Sequence, residues 1–595
     1  MKRKIALLTL TCILFTACGQ AAQVNKTNVQ AGKVATTSTK KVVDDKAIEE
    51  RIKAVGESYD GLYRYDEDAD FFGGATNSLS GAKLYSRSAP TAEVEDEYAV
   101  DAAEPMQGII PTLPNTEPDW NTENFKNIEE SGITSVKTQP FSTFGADVDT
   151  ASYSSLRRRL FENDGHGITD NALRVEELVN YFGYDYPQAE KGEKFGVVTS
   201  LTSCPWVDDK DTYLLRVGIK AEEVNADKGS NIVFLVDTSG SMFTNNKLPL
   251  VQKALTGLQE KLTDKDTISI VTYAGEERVV CEGVKGSEHE KIQEAIDSFQ
   301  AWGSTNGESG INKAYELAEK YFIKDGNNRV LLATDGDLNV GVSSEAGLIE
   351  LIEEKKKTGV FLSCLGFGDG NYKDDKMEAL ADHGNGNYSF IDCSREAERV
   401  LKDEFWSTLF TVAKDVKFQV EFNPDMVKGY RLVGYENRAM AAEDFANDTK
   451  DGGEVGSGQC VTALYEIILK DSKREVPTVE SRYNSGEKSS VNSDELLTVN
   501  IRYKEPNSDK SELRTYPVTK DNYTEQMDDD TSWAAGVAQF GMLVRESEYK
   551  GTSSFEQIYD RLKYDPRIME DDFRAEFLYL VSRAKTDKEE KSGDK

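Results

Sequence analysis

From residue 229 to about 412, short apolar runs alternate with stretches of helical period. The runs "NIVFLVD", "DTISIVTYA", "NRVLLATDGD", "VFLSCLGFGDG" and "NYSFIDC" are continuous rather than alternating, which predicts strands buried on both faces. Between them, "KLPLVQKALTGLQEKL", "EHEKIQEAIDSF", "ESGINKAYELAEKYF" and "EAGLIELIEEKKKTG" carry apolar residues every three or four positions and predict helices. Strand and helix in alternation predict an α/β unit with a doubly wound, mostly parallel sheet. On either side the period changes. Val416, Phe418, Val420 and Phe422 alternate with Lys417, Gln419 and Glu421, as do Leu497, Val499, Ile501 and Tyr503 with their neighbours. Upstream, "FGVVTSL" and "YLLRVGI" are also strand-like. Half-buried strands before and after the α/β unit predict one β-sandwich into which that unit is inserted.

Two further patterns bound this region. Val175, Leu178, Val179 and Phe182 share a helical face upstream, as do Trp533, Val537, Phe540 and Val544, and Phe573, Phe577 and Leu580, downstream. The resulting division is 136–228 for the first flanking part, 229–412 for the α/β unit, 413–530 for the rest of the sandwich, 531–585 for a helical C-terminal region, and 586–595 for a frayed tail. An isolated 229–412 segment is expected to fold alone, and 413–530 is not. Residues 18–135 are poor in periodic pattern and read as a tether, with a short helix near 45–55.

The N-terminus adds a destination. Lys2, Arg3 and Lys4 precede an apolar run that ends at Ala17 and Cys18, too short to span a bilayer but long enough for a secretory signal. "FTAC" resembles a bacterial lipobox, which implies cleavage after residue 17 and lipid on Cys18. The protein is therefore expected to be exported and lipid-anchored at the bacterial cell membrane, facing outward, or at the outer membrane where the envelope has one. Of the 595 residues, 71 are basic and 105 acidic, a net charge of −34. That balance argues against nucleic acid as a partner, which demands a basic footprint. After Cys12 and Cys18, five cysteines remain, matching no zinc spacing and leaving a disulfide open.

Candidate chemistry concentrates where an apolar strand ends in "VDTSGSM". An aspartic protease would need Asp-Thr-Gly, and Ser239 intervenes. A nucleophile elbow would need Gly-x-Ser-x-Gly, and no histidine among His166, His289 and His383 is placed as its base. Asp147 and Asp149 in "FGADVDTAS" suggest a dehalogenase-type phosphatase, but Ala151 breaks that motif; Asp149 or Thr150 as a helix N-cap fits better. An oxygen-lined cation site remains. Asp237, Ser239 and Ser241 close one strand, Thr305 lies in "GSTNG" before a helix, and Asp335 closes another strand. Strand ends at a reversal of strand order are where open α/β sheets bind ligands. Carboxylate and hydroxyl oxygens suit a hard divalent cation, Mg²⁺ foremost, with Ca²⁺ or Mn²⁺ as alternatives.

These three separated parts resemble the metal-ion-dependent adhesion site of von Willebrand factor type A domains. The resemblance implies that Ser239, Ser241 and Thr305 face the metal, with Asp237 and Asp335 bound to it directly or through water. "FGADVDTASYSSLRR", "ALRVEELVNYFGYDYP", "VTALYEI" and "WAAGVAQFGMLVR" resemble the flanks of bacterial lipoproteins built around such a domain. In these domains a partner's carboxylate fills the metal's open position, so a non-enzymatic, metal-dependent binding function is expected, with a protein partner offering an acidic residue. The alternatives are a structural subunit of an envelope complex whose cation only braces loops, and a metal-assisted hydrolase, for which no general base is evident.

Overall fold

The computed structural model describes residues 44–63, 123–162, 168–224, 229–304, 307–324, 326–336, 345–370, 372–404, 407, 409–477, 494–506 and 508–593. One compact unit spans Lys46–Lys595. Among the described residues, its strands form three sheets.

The central sheet runs in the order Tyr388–Ile391, Phe361–Phe367, Asn327–Thr334, Ser230–Asp237, Thr267–Tyr273, Glu277–Lys285. Every pairing is parallel except the last. Its apolar runs face both ways, as continuous hydrophobic strands must. Ile232, Phe234 and Val236 pack with Leu248–Gln259 and His289–Asp297 on one side. Val233 and Leu235 pack with Gly307–Lys320 and Asp374–His383 on the other. The chain leaves Ser230–Asp237 toward Thr267–Tyr273, then returns to lay Asn327–Thr334 along the opposite edge of the same strand, with Val236 beside Ala333. The reversal of strand order therefore falls between the strand ending in Asp237 and the one preceding Asp335.

The flanking segments do form one sandwich. One sheet joins Thr134–Ser135, Val427–Val433, Cys460–Leu469, Thr212–Ala221 and Phe195–Ser203. The facing sheet joins Ala439–Met440, Phe141–Gly145, Thr411–Phe422, Glu495–Lys504 and Ser511–Thr519, with Gly453–Gly456 also on Thr411–Phe422. Leu215, Val217 and Ile219 from before the α/β unit share one core with Phe418, Val420, Val461 and Val499 from after it.

A helical layer covers the outer face of the first sandwich sheet. Ala151–Glu162, Val175–Asn180, Asp529–Val544 and Asp572–Gly593 bring Tyr153, Phe182, Trp533, Phe540 and Phe577 into a core that also takes Leu214 and Leu464. Two expectations change here. The helix expected near 45–55 extends over Asp45–Tyr63 and buries Ile48, Ile52, Val55 and Tyr59, so this part of the tether belongs to the folded body. The last helix continues to Gly593, and on it Lys585 pairs with Glu556 and Lys588 with Asp170 and Glu546. Cys18 and the stretch expected to be a secretory signal lie outside the described residues. Among the described residues no helix is long and apolar enough to cross a membrane, and Cys204, Cys281, Cys364, Cys393 and Cys460 are free thiols.

Buried ion pairs cross the border of the α/β unit. Arg157, fully buried on Ala151–Glu162, donates to both Asp392 carboxylate oxygens (2.9 and 2.6 Å) and to Glu396 (2.8 Å). Arg174 binds Asp374 at 2.9 Å, and Arg438 binds Asp149 at 3.0 Å and Asp382 at 2.7 Å. Asp149 therefore spends its carboxylate on Arg438 and on the Tyr388 amide rather than on capping its own helix. The Ser152 amide is capped from another helix, by Glu177 at 2.7 Å.

Candidate metal centre

Asp237 is fully buried at the carboxyl end of its strand. Oδ1 accepts the Ser239 amide (2.9 Å), and Oδ2 accepts the hydroxyls of Thr334 (2.8 Å) and Tyr273 (3.2 Å). Thr334 reaches it because the parallel register sets the two strand ends side by side. Burial, with the charge of Asp335 second, pushes the Asp237 carboxyl up to about 6. Asp335 is also fully buried, directly after Asn327–Thr334. Ser239 and Ser241 hold their hydroxyls 3.1 Å apart on the turn that follows Asp237.

Two neighbouring loops frame this cluster. Trp302 donates its amide to the Thr238 carbonyl (2.8 Å), and Gly240 donates to the Gly303 carbonyl (3.0 Å). A Cβ on Gly240 would lie 3.3 Å from that carbonyl, so the approach leaves little room for a side chain. Gly336 adopts φ +86°, and a Cβ there would sit 2.9 Å from the Lys373 amide. The 372–374 turn thus lies against the Asp335 loop. Asp374 itself is committed to Arg174 and Tyr388. Gly370 donates its amide to Glu123, which also holds Arg158.

Asp237, Ser239, Ser241 and Asp335 are therefore brought together at the switch in strand order. Thr305 lies outside the described residues, although the Gly303 end of its loop is docked on the Asp237 turn. His289 contacts the Leu262 carbonyl and His383 contacts Glu353, neither of them part of this cluster.

Lys247 was not legible as part of the site. It precedes helix Leu248–Gln259 and places Nζ 3.0 Å from Asp335 Oδ2, with its side chain only 6% exposed. Its stem runs over Gly368, whose φ of +83° and missing Cβ make space for it. Tyr273 was likewise unmarked, since nothing in its local sequence distinguishes it from other strand residues.

The donor chemistry fits a hard divalent cation. All available donors are oxygens, and the charge of Asp335 already acts on the buried Asp237 carboxyl, which favours a nearby positive charge. Among the described residues no three acidic, histidine or cysteine side chains gather around one point. A cation here would rely on hydroxyls and water for most of its shell, as a Mg²⁺ ion with two protein carboxylates does. Asp237, Ser239, Ser241 and Asp335 would hold it.

Comparison with known proteins agrees with this architecture. Residues 231–403 match the von Willebrand factor type A domain family, 119–216 a von Willebrand factor family, and 407–586 the C-terminal family of the uncharacterized protein YfbK. The chain is 39% identical over 472 residues to uncharacterized protein YfbK of Escherichia coli (strain K12), covering 78% of this chain and 81% of that protein. It is 31% identical over 165 residues to human (Homo sapiens) inter-alpha-trypsin inhibitor heavy chain H3, where the match spans 26% of this chain and 18% of that one. A solved von Willebrand factor type A protein from Catenulispora acidiphila aligns over 60% of this chain and 82% of its own, at 15% identity and a TM-score of 0.35. The chain belongs to the YfbK family, built around a von Willebrand factor type A domain with the YfbK C-terminal region behind it.

Proposed function

We propose that this is an exported, lipid-anchored envelope protein with a binding rather than a catalytic role. Its type A domain takes up a divalent cation, Mg²⁺ foremost, through Asp237, Ser239, Ser241, Thr305 and Asp335, and through the cation a carboxylate of a protein partner. The observation that carries this reading is the convergence of two fully buried carboxylates and two hydroxyls at the switch in strand order. The strong acidity of the chain is compatible with it, because a bound cation would bridge two acidic surfaces. Anchoring through Cys18 is supported by the basic start, the short apolar run and "FTAC".

The test is a pair of thermal melts, with Mg²⁺ and with chelator, on wild type and Asp335→Ala. Wild type should gain about 2.7 kcal/mol at a hundredfold excess of cation over its dissociation constant, and the variant should gain far less. A wild type with no shift under any divalent ion overturns the reading. The Lys247–Asp335 pair favours a second reading, in which an internal cation braces the loops and the site is structural. Capture of envelope proteins that is identical with and without chelator would support that version.

A further inference from the structure

We propose that Phe243 and Trp302 complete the cation site into a docking surface for an extended segment of a protein partner, one in which an acidic residue is flanked by apolar side chains. The proposal rests on the cation-binding reading above and names the partner's chemistry. Among the described residues six large hydrophobic side chains are exposed, and the two most exposed are Trp302 at 82% and Phe243 at 73%. Both stand on the loops that frame Asp237. Isolated exposed apolar residues are ordinary, but the two extremes among the described residues falling on the rim of one polar site are not.

The backbone beneath them is fixed. Phe243 closes the 3₁₀ turn Gly240–Phe243, whose preceding residue Met242 is fully buried and donates its amide to the Ser239 carbonyl at 3.0 Å. Trp302 is tied through its amide to the Thr238 carbonyl. Burial of Met242 fixes the turn from which Phe243 projects, and the 302–303 loop is tied to that turn at both residues. Rigidly mounted aromatics lose little conformational freedom on binding and are the residue types that dominate interface energetics.

Charge selects the rest of the ligand. A divalent cation together with Lys247 carries one more positive charge than Asp237 and Asp335, so the centre of the surface would favour an anionic group while its rim favours apolar contact. A second copy of this chain, with net charge −34, would be repelled at long range. A bilayer surface would accept the aromatics but gives the cation no carboxylate-bearing side chain to bind.

A randomised peptide library displayed on phage, selected against the whole protein in Mg²⁺, tests this. Enriched peptides should carry Asp or Glu beside apolar residues and should be released by chelator. Phe243→Ser and Trp302→Ser should each weaken those peptides about thirtyfold while leaving the melting temperature and its Mg²⁺ shift unchanged. Selected acidic peptides without apolar neighbours, unaffected binding in both variants, or no metal-dependent peptide at all would overturn the docking surface and leave the cation site standing. Loss of the Mg²⁺ shift in wild type would instead remove the underlying reading. Binding to phosphatidylethanolamine–phosphatidylglycerol vesicles that both substitutions abolish would assign the aromatics to a membrane and equally overturn the proposal.

Discussion

Lys247→Met separates a cation site from a self-sufficient loop brace. Methionine keeps most of the stem that crosses Gly368 and removes the ammonium 3.0 Å from Asp335. At that separation and an effective dielectric of about 20, the gross attraction is about 5–6 kcal/mol. Because the two side chains are 6% and 0% exposed, deleting one partner should cost about 3–5 kcal/mol. With roughly 2.1 cal/mol/K of unfolding entropy per residue, that lowers Tm by about 8–14 °C if residues 231–403 melt by themselves. It lowers Tm by only about 3–4 °C if Lys46–Lys595 melts as one body. That loss applies in chelator. In saturating Mg²⁺ the ion supplies the missing positive charge, so the variant should recover most of it. The Mg²⁺-induced shift of Lys247→Met should therefore exceed that of wild type by a similar amount. Differential scanning calorimetry on both proteins, with Mg²⁺ and with chelator, reads all four states. A variant whose Mg²⁺ shift is equal to or smaller than wild type's refutes the argument that lysine and metal serve the same carboxylate.

Arg157→Met should destabilise the chain by about 3–5 kcal/mol in urea denaturation, because it leaves the buried Asp392 without its guanidinium partner and Glu396 with Arg399 alone, and adding Asp392→Asn should restore part of the loss. By the same logic the isolated 229–412 segment should melt far below its temperature in the whole chain, since Asp392, Glu396 and Asp374 lose Arg157 and Arg174. Burial, opposed by Arg157, pushes Glu576 up to about 8, so between about 4.5 and 8 the folded chain keeps a proton that the unfolded chain releases. Stability from this group is full below about 4.5 and is lost as pH rises through 8; Glu576→Gln should flatten that part of a stability–pH curve, and an unchanged slope would refute the assignment. Cys18→Ser should leave the protein unprocessed or release it from the membrane fraction, as size and fractionation would report.

What was legible in the chain is what repeats locally. Buried parallel strands announce themselves as unbroken apolar runs, and the sandwich strands by a period of two, so the insertion of one fold in another could be read from a change of period at residues 229 and 412. Asp237, Ser239 and Ser241 were readable because one turn carries all three, and Asp335 because it ends a strand of the same kind. Lys247 was not, because the contact that gives it meaning spans 88 positions and its own neighbourhood is an ordinary helix start. The cap on Ser152 failed for the same reason: Asp149 has the right residue type, but Arg438, 289 positions away, outbids a local amide for its charge. The C-terminal "KTDKEEKSGDK" misled in the opposite direction, since a charge-rich stretch looks solvated whether or not its lysines find Glu556, Glu546 and Asp170.

The pattern in these misses bears on how the site is held. Asp392, Glu396 and Asp374 of the type A domain all answer to arginines outside it, and Glu123 reaches in to hold Gly370 and Arg158 beside the Asp335 loop. A parallel sheet alone would bring Asp237 next to Thr334, as register requires. It would not fix the Gly370 loop or the 372–374 turn, which Glu123 and Arg174 hold from the segment upstream of the α/β unit. A force or contact that displaced that segment would therefore act first on the Gly370 loop and the adjoining 372–374 turn, which packs on Gly336 next to Asp335, and only later on the strands beneath.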